Sequence, residues 1–359
     1  MEMINLRSIA DIIAYAEKVD ATDIHLICDS CPVLRVNKEL FDIPDTEPLT
    51  REECLDLATS IMSERNKEDL QAVGQVDFSF GMGDGRFRAN VFMQRGNISV
   101  ALRRIPAIIP KFEDLNIPAV IKEFSGLHKG LVLVTGATGS GKSTTLASLL
   151  DVVNETRRQH IITVEDPIEY MHQHKLCKVN QREIGNDTDS FAGALRAALR
   201  EDPDIILVGE MRDPETINIA LTAAETGHLV FSTLHTVGAA KTLDRIIDTF
   251  PAERQGQIKS QLSTGLKGIV SQELLPKKDK KGIVPACEVM VVNPAIANLI
   301  REGKSHQITS MIQGGAAEGM QTMDSQLAML VNKNLVSYEV ALSRAQDKKF
   351  FQQLLNERW

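Results

Sequence analysis

Between Leu131 and Thr145 the chain reads LVLVTGATGSGKSTT, and its glycines, lysine and hydroxyls are spaced to hold phosphate. The pattern G-x-x-x-x-G-K-[ST] runs without a gap through Gly136, Ala137, Thr138, Gly139, Ser140, Gly141, Lys142 and Ser143, with Thr144 following. Glycines at 136, 139 and 141 let the backbone bend closely round an anion, so that its N–H groups point inward. Lys142 supplies a point charge to the outer phosphates, and the Ser143 hydroxyl can sit on Mg²⁺. The helix expected from Lys142 onward adds the positive end of its dipole. Four apolar residues before the loop and TTLASLLDVV after it give the strand, turn and helix that such a loop needs. A nucleotide with Mg²⁺ is the expected ligand.

Three more polar clusters follow apolar strands. ITVEDPIEY places Glu165 and Asp166 directly after a strand that Pro167 stops. One carboxylate there could polarise an attacking water while another orients Mg²⁺ through its shell. DPDIILVGEMRD ends its strand in Glu210, where phosphate-loop enzymes carry an acid linked to Mg²⁺. Asp is commoner at that place; Glu reaches one methylene further, which suits contact through a water. Met211 and Arg212 follow on the loop. TGHLVFSTLHT has His228 before its strand and His235 after it. His235, beside Thr233 and Thr236, stands where a γ-phosphate sensor could reach, whereas His228 reads equally well as structural. Guanidinium groups stabilise charge on transferring phosphoryl groups and can come from another subunit. The candidates are Arg86, Arg88, Arg103 and Arg104 in the first part of the chain, and Arg196 and Arg200 on SFAGALRAALRED. Arg88 and Arg103 are the preferred pair, each on a strand at one end of the same hairpin.

These clusters need a frame that brings them together. From Leu131 onward LVLVT, HIITVED, IILVGE and LVFSTLH alternate with helical stretches, the pattern of a mostly parallel sheet covered on both faces. Ligands of such open sheets bind at the carboxyl ends of the strands, where all four clusters lie. Residues 1–105 form a different, smaller α+β domain. IADIIAYAEKV is amphipathic at helical period, and DIHLIC and PVLRVN read as strands joined by a turn at Asp29-Ser30. REECLDLATSIMSERNKEDL reads as one further helical stretch, and VDFSFGMGDGRFRANVFMQRGNISVALRRI alternates with GDG as a hairpin turn. Pro106, Pro110 and Pro118 mark residues 106–118 as an interdomain linker. An α/β core is expected over 119–293 and a helical region over 294–359, with KKDKK at 277–281 as a solvated hairpin tip.

Composition narrows the function. The 359 residues allow two or three domains. A net charge of -8 and 4% aromatic residues disfavour a general nucleic-acid surface. No apolar run approaches the roughly 20 residues of a membrane span, and MEMINLRSIADIIAYAEK lacks a signal peptide's layout, so a cytoplasmic protein is expected. The five cysteines fit a reducing compartment. Cys28 and Cys31 are spaced as C-x-x-C, but no second pair follows at zinc-site spacing, and the stretch reads as a turn between strands.

In order along the chain, GATGSGKSTT, ITVEDPIEY, DPDIILVGEMRD and GHLVFSTLHT resemble the Walker A, Asp box, Walker B and His box of the secretion ATPases. These proteins power type II and type IV secretion and type IV pilus assembly. The short N-terminal domain, without a four-cysteine zinc insertion, together with AIANLIREGKSHQI and GMQTMDSQL, resembles the branch that retracts type IV pili. The resemblance covers nearly the whole chain. It implies a PAS-like N-terminal domain, a RecA-like P-loop ATPase core, and a homohexameric ring that hydrolyses ATP with Mg²⁺. It also implies Glu165 as catalytic carboxylate, Glu210 as the Walker B residue acting on Mg²⁺ through water, and Arg88, Arg103 and Arg196 around the phosphates. The implied partner is the inner-membrane platform protein of a pilus machine, met at the cytoplasmic face of the membrane, with no nucleic acid and no membrane anchor of its own. Extension and type II assembly ATPases are the close alternative. The family pattern has an arginine where this chain has Ala297, although Arg301 and Glu302 are retained.

Overall fold

Alternating residues in the first hundred positions become an antiparallel sheet. In a computed structural model, which describes residues 8–37, 39–83, 85–106 and 108–356, the chain divides into two compact units. One runs to Ile108 and includes Pro167–Met171; the other holds Ile109–Asp166 and His172 onward. The first unit contains β1 (Asp23–Leu26), β2 (Val33–Val36), β3 (Glu39–Asp42), β4 (Gln75–Met82), β5 (Gly85–Gln94) and β6 (Asn97–Ile105), ordered β3-β2-β1-β6-β5-β4. One face packs Leu26, Phe87 and Leu102 against Ile12 and Ile13 of the helix Ile9–Lys18. That helix begins in a capping box, the Ser8 hydroxyl accepting the Asp11 N–H at 3.2 Å. The turn between β1 and β2 holds Asp29 at φ 64°. β4 and β5 close a two-residue hairpin, pairing Met82 with Gly85; the Asp84 of the expected GDG turn lies outside the described residues.

The expectation of one helix over REECLDLATSIMSERNKEDL is corrected to two, Arg51–Thr59 and Glu64–Val73. Between them Ile61 and Met62 turn into the core. Ser63 then caps the second helix, its hydroxyl accepting the Asn66 N–H at 3.2 Å. A serine that satisfies an orphan N–H favours starting a helix over continuing one.

The second unit is built on β7 (Gly130–Thr135), β8 (His160–Glu165), β9 (Lys178–Glu183), β10 (Ile205–Val208), β11 (Leu229–Leu234), β12 (Leu266–Pro276) and β13 (Ile283–Val291). Their order is β13-β12-β7-β11-β10-β8-β9, parallel throughout except for the β12–β13 hairpin. β7, β10 and β11 are buried at every residue, as a sheet covered on both faces requires. One face packs on the helix Lys142–Thr156, the other on Pro214–Glu225, Ala239–Asp248 and Ala252–Gly265.

Within residues 109–118, Phe112 is buried against that first helix, and the Ser148 hydroxyl donates to the Pro110 carbonyl at 2.6 Å. KKDKK forms the tip of the β12–β13 hairpin, closed by the Lys277 N–H on the Gly282 carbonyl at 3.1 Å. Beyond it the chain is helical: Ile296 and Ile300 join the main core, while Leu327 and Phe351 pack on Leu275 and Val284 of the hairpin. Among the described residues no helix is long and apolar enough to cross a membrane.

Candidate nucleotide site

β7 delivers the chain to the phosphate loop, and three glycines turn it. Gly136, Gly139 and Gly141 have φ of 143°, 78° and 85°, a region that side-chain-bearing residues rarely enter. At Gly136 space is also decisive, since a Cβ there would lie 2.3 Å from the Gln272 carbonyl oxygen. Ala137, Thr138 and Gly139 form an exposed crown, with Ser140 buried beneath it. The buried Lys142 ammonium donates to the carbonyls of Gly136 at 2.9 Å and Ala137 at 3.0 Å. A cation is thus already held under the crown. Gly141 stands at the N-cap of Lys142–Thr156 and offers no side chain to the first-turn N–H groups. Ser143 and Thr144 are half-buried on that first turn.

Parallel register then lines the other clusters along one edge of the sheet. Thr135 of β7 pairs with Leu234 of β11, and Val208 of β10 pairs with Ser232 on one side and Val164 on the other. Backbone bonds continue the line past the strand ends. The Gly136 N–H donates to the Leu234 carbonyl at 3.2 Å, the Met211 N–H to Thr233 at 3.2 Å and the Gly209 N–H to Val164 at 2.7 Å. The Glu210 carboxylate, only 12% exposed, meets Arg212 Nε at 2.6 Å and His235 Nε2 at 3.4 Å. A carboxylate this shielded needs positive charge near it, which Arg212 and His235 supply, and its oxygens are of the kind a hard divalent cation takes. Glu165 Oε1 accepts the Thr163 hydroxyl at 2.6 Å and the Gln181 amide at 3.1 Å. Asp166 is exposed. A cavity of about 300 Å³ opens beside Glu210 and His235, walled also by Arg212, Thr236 and Arg245.

His228 is at the other end of β11. Its Nδ1 lies 3.0 Å from the Ala223 carbonyl, at the end of the preceding helix, which makes it a structural histidine. Arg196 and Arg200 are exposed, and Arg196 pairs with Glu215. Arg88 and Arg103 belong to the first unit, directly opposite one another on β5 and β6. Arg103 Nε donates to Asp23 at 2.8 Å, and Arg88 stands 3.8 Å from Asp77. Burial works to raise the Asp23 carboxyl, but the Thr22 hydroxyl and Arg103 outweigh it and hold it below the usual range. Arg86 donates to the Ser79 hydroxyl and Arg104 to Asp20.

Residues 115–355 match the family described as type II/IV secretion system protein. The chain belongs to that family. Within it, the chain is 49% identical over 338 residues to the "Type IV pilus retractation ATPase PilT" of Pseudomonas aeruginosa, covering 94% of this chain and 98% of the relative. It is also 49% identical over 319 residues to a "Twitching motility protein" of Neisseria gonorrhoeae, covering 89% and 85%. The crystal structure of the pilus retraction motor PilT with bound ADP is similar at a TM-score of 0.91 and 50% identity, over 96% of this chain and 99% of that one. The expected secretion-ATPase membership and RecA-like core fold are borne out.

Thr163, Gln181 and Arg245 were not legible as site residues. Thr163 precedes Glu165 by two on a strand and so shares its face, a signal that was present. Gln181 lies on β9, whose sequence KVNQRE has no apolar run to announce a strand. Arg245 reaches the cavity from the helix Ala239–Asp248, ten residues after His235.

Proposed function

We propose that the chain is an ATP-hydrolysing motor that drives type IV pilus retraction. What supports this is the near-full-length likeness to a protein named as that motor, joined to a phosphate loop and two carboxylates on neighbouring strand ends of one sheet. In this reading Lys142 exchanges its loop carbonyls for the outer phosphates of ATP, and the first-turn N–H groups cradle them. Ser143 and, through water, Glu210 would hold Mg²⁺, which supplies neutralising charge to the phosphate oxygens. Glu165, oriented by Thr163 and Gln181, positions and deprotonates the attacking water. His235 donates toward the γ-phosphate and registers its loss, and its contact with Glu210 links that signal to the acid.

The chain works as a homohexamer. Arg88, Arg103 and Arg196 reach phosphates across subunit boundaries, which makes hydrolysis depend on assembly. The ring acts at the cytoplasmic face of the membrane against the platform protein of the pilus machine, and the N-terminal unit moves relative to the core through the hydrolysis cycle. Deleting the gene tests the direction of force. Surface pili that accumulate while twitching stops are expected; loss of pili would instead make the chain an extension or assembly ATPase.

A further inference from the structure

The β12–β13 hairpin lies beside the phosphate-loop strand, and its polar side chains are buried without belonging to any nucleotide-binding motif. Ser271, Gln272 and Glu288 are 0%, 3% and 4% exposed. Val270 and Ser271 pair with Val134 and Thr135 of β7, so Gln272 comes level with Gly136. Its carboxamide makes two contacts with the loop region. Nε2 donates to the Ser140 carbonyl at 2.8 Å, and Oε1 accepts the Thr145 hydroxyl at 2.8 Å. A carbonyl can only accept, so the amide has one orientation that satisfies both. The same residue also crowds two of the loop glycines, since a Cβ at Gly141 would lie 2.7 Å from Gln272 Nε2.

Neighbouring side chains on a strand point to opposite faces, and Ser271 serves the other face. Its hydroxyl accepts the Gly238 N–H at 2.8 Å. Glu288, opposite Ser271 in the hairpin register, accepts the next N–H, that of Ala239, at 2.7 Å. Gly238 and Ala239 begin the helix that follows the His235 loop. Gly238 has φ 93°, and a Cβ there would stand 3.7 Å from Glu288 Oε1. Three adjoining side chains therefore hold the phosphate loop on one face of the sheet and the turn three residues past His235 on the other.

We infer that Ser271, Gln272 and Glu288 are positioning residues: Gln272 fixes the phosphate loop for nucleotide, and Ser271 with Glu288 fixes the turn that aims His235. None of them needs to touch the reacting atoms. What Glu288 supplies to the turn is an acceptor, the oxygen that takes the Ala239 N–H at 2.7 Å. Burial raises its carboxyl above the usual range, against the lowering effect of the Ala239 and Met323 N–H groups. A glutamine keeps the acceptor that the Ala239 N–H requires.

This inference rests on the ATPase reading, so the unmodified chain is measured first, by titration with ADP and Mg²⁺ and by steady-state ATP hydrolysis. Failure of both there overturns the ATPase reading itself. With that established, Gln272→Met leaves the Ser140 carbonyl and the Thr145 hydroxyl without a partner. It should raise the Kd for ADP about tenfold or more, because two buried hydrogen bonds beside the loop are lost. Thr145→Val removes one of these bonds from the other side and serves if Gln272→Met does not fold. Glu288→Ala should lower kcat about tenfold with the ADP Kd within about twofold, and Glu288→Gln should recover most of that kcat. A merely structural role would lower Tm without this division between Kd and kcat. Wild-type ADP affinity in folded Gln272→Met, or wild-type kcat in folded Glu288→Ala, overturns the assignment.

Discussion

The two sheets carry their charged residues in opposite ways. In the first unit a row crosses four antiparallel strands: Asp23 of β1, Arg103 of β6, Arg88 of β5 and Ser79 of β4. Two arginines directly opposite one another repel, and Asp23 and Asp77 offset that repulsion within the same sheet. In the second unit β7, β8, β10 and β11 hold no Asp, Glu, Lys or Arg before their carboxyl ends, and Lys142, Glu165, Glu210 and His235 come at or just past those ends. A mid-strand charge finds its partner from the register alone. Charges at the ends of parallel strands face a common edge, where ligands of such open sheets bind. Acidic and basic side chains thus satisfy one another within a ladder in one place and gather at a sheet edge in the other.

The most severe way to break this contrast is at that sheet edge. Glu165→Gln keeps an acceptor for Thr163 but removes the carboxylate proposed as the base. It should bind ADP normally while kcat falls by about 10²–10⁴. If Glu210→Gln is the slower variant and Glu165→Gln hydrolyses at the wild-type rate, the two carboxylates have exchanged roles.

Next is whether the ladder arginines also work for catalysis. Arg88→Ala/Arg103→Ala should lower ATPase activity by on the order of 10²-fold or more if a neighbouring subunit supplies them. Lys142→Ala should be as inactive, for loss of its phosphate contact. Mixed in equal amounts, the two inactive proteins should regain measurable hydrolysis, because some interfaces then pair an intact loop with intact arginines. No gain in mixed rings of verified composition would confine these arginines to the ladder.

These positions show what was legible in the sequence. The phosphate loop, the strands flanking it and Glu165, Glu210 and His235 could be read because continuous apolar runs stop abruptly at polar residues. The break at Ser60–Ser63 was hidden, since its cause is the burial of Ile61 and Met62 by a core assembled from distant segments. Gln272 meets Thr145 across 127 positions, and Gln181 meets Glu165 from an edge strand of mixed polarity. Such partners follow from strand order, which no local pattern encodes.

A smaller effect concerns pH. His172 is nearly buried, and burial pushes its imidazole down from 6.5 to about 4, with Asp151 opposing and Lys175 assisting. Between these values the unfolded chain binds a proton that the folded chain does not, so this contribution to stability is present above about pH 6.5 and is lost as pH falls toward 4. The full span corresponds to roughly 3 kcal/mol. Burial raises the Glu288 and Asp324 carboxyls, which gives the opposite sign: their contribution is greatest in acid and is lost as pH rises through their folded values. The difference in urea-unfolding stability between His172→Phe and wild type should therefore be constant above about pH 6.5 and shift below it, with the variant losing less stability as pH falls. Parallel curves across that range would remove His172 as the cause.

The smallest expected difference lies inside the ladder and tests whether its two arginines are equivalent. The Asp23 side chain is only 10% exposed and takes a direct bond from Arg103 at 2.8 Å. Asp77 is 54% exposed and stands 3.8 Å from a half-exposed Arg88. Removing the partner of a shielded carboxylate leaves it under-satisfied at a cost of about 1 kcal/mol or more, whereas an exposed ion pair contributes about 0–1 kcal/mol. Arg103→Ala should therefore speed amide exchange in β1 and β6 severalfold, and Arg88→Ala should change β4 and β5 little. Asp23→Asn should restore much of what Arg103→Ala loses, because a neutral amide in that place no longer needs the guanidinium. Equal destabilisation by the two arginine variants would mean that shielding of the carboxylate does not set the cost, and stabilisation by either would mean that repulsion between the arginines governs the row.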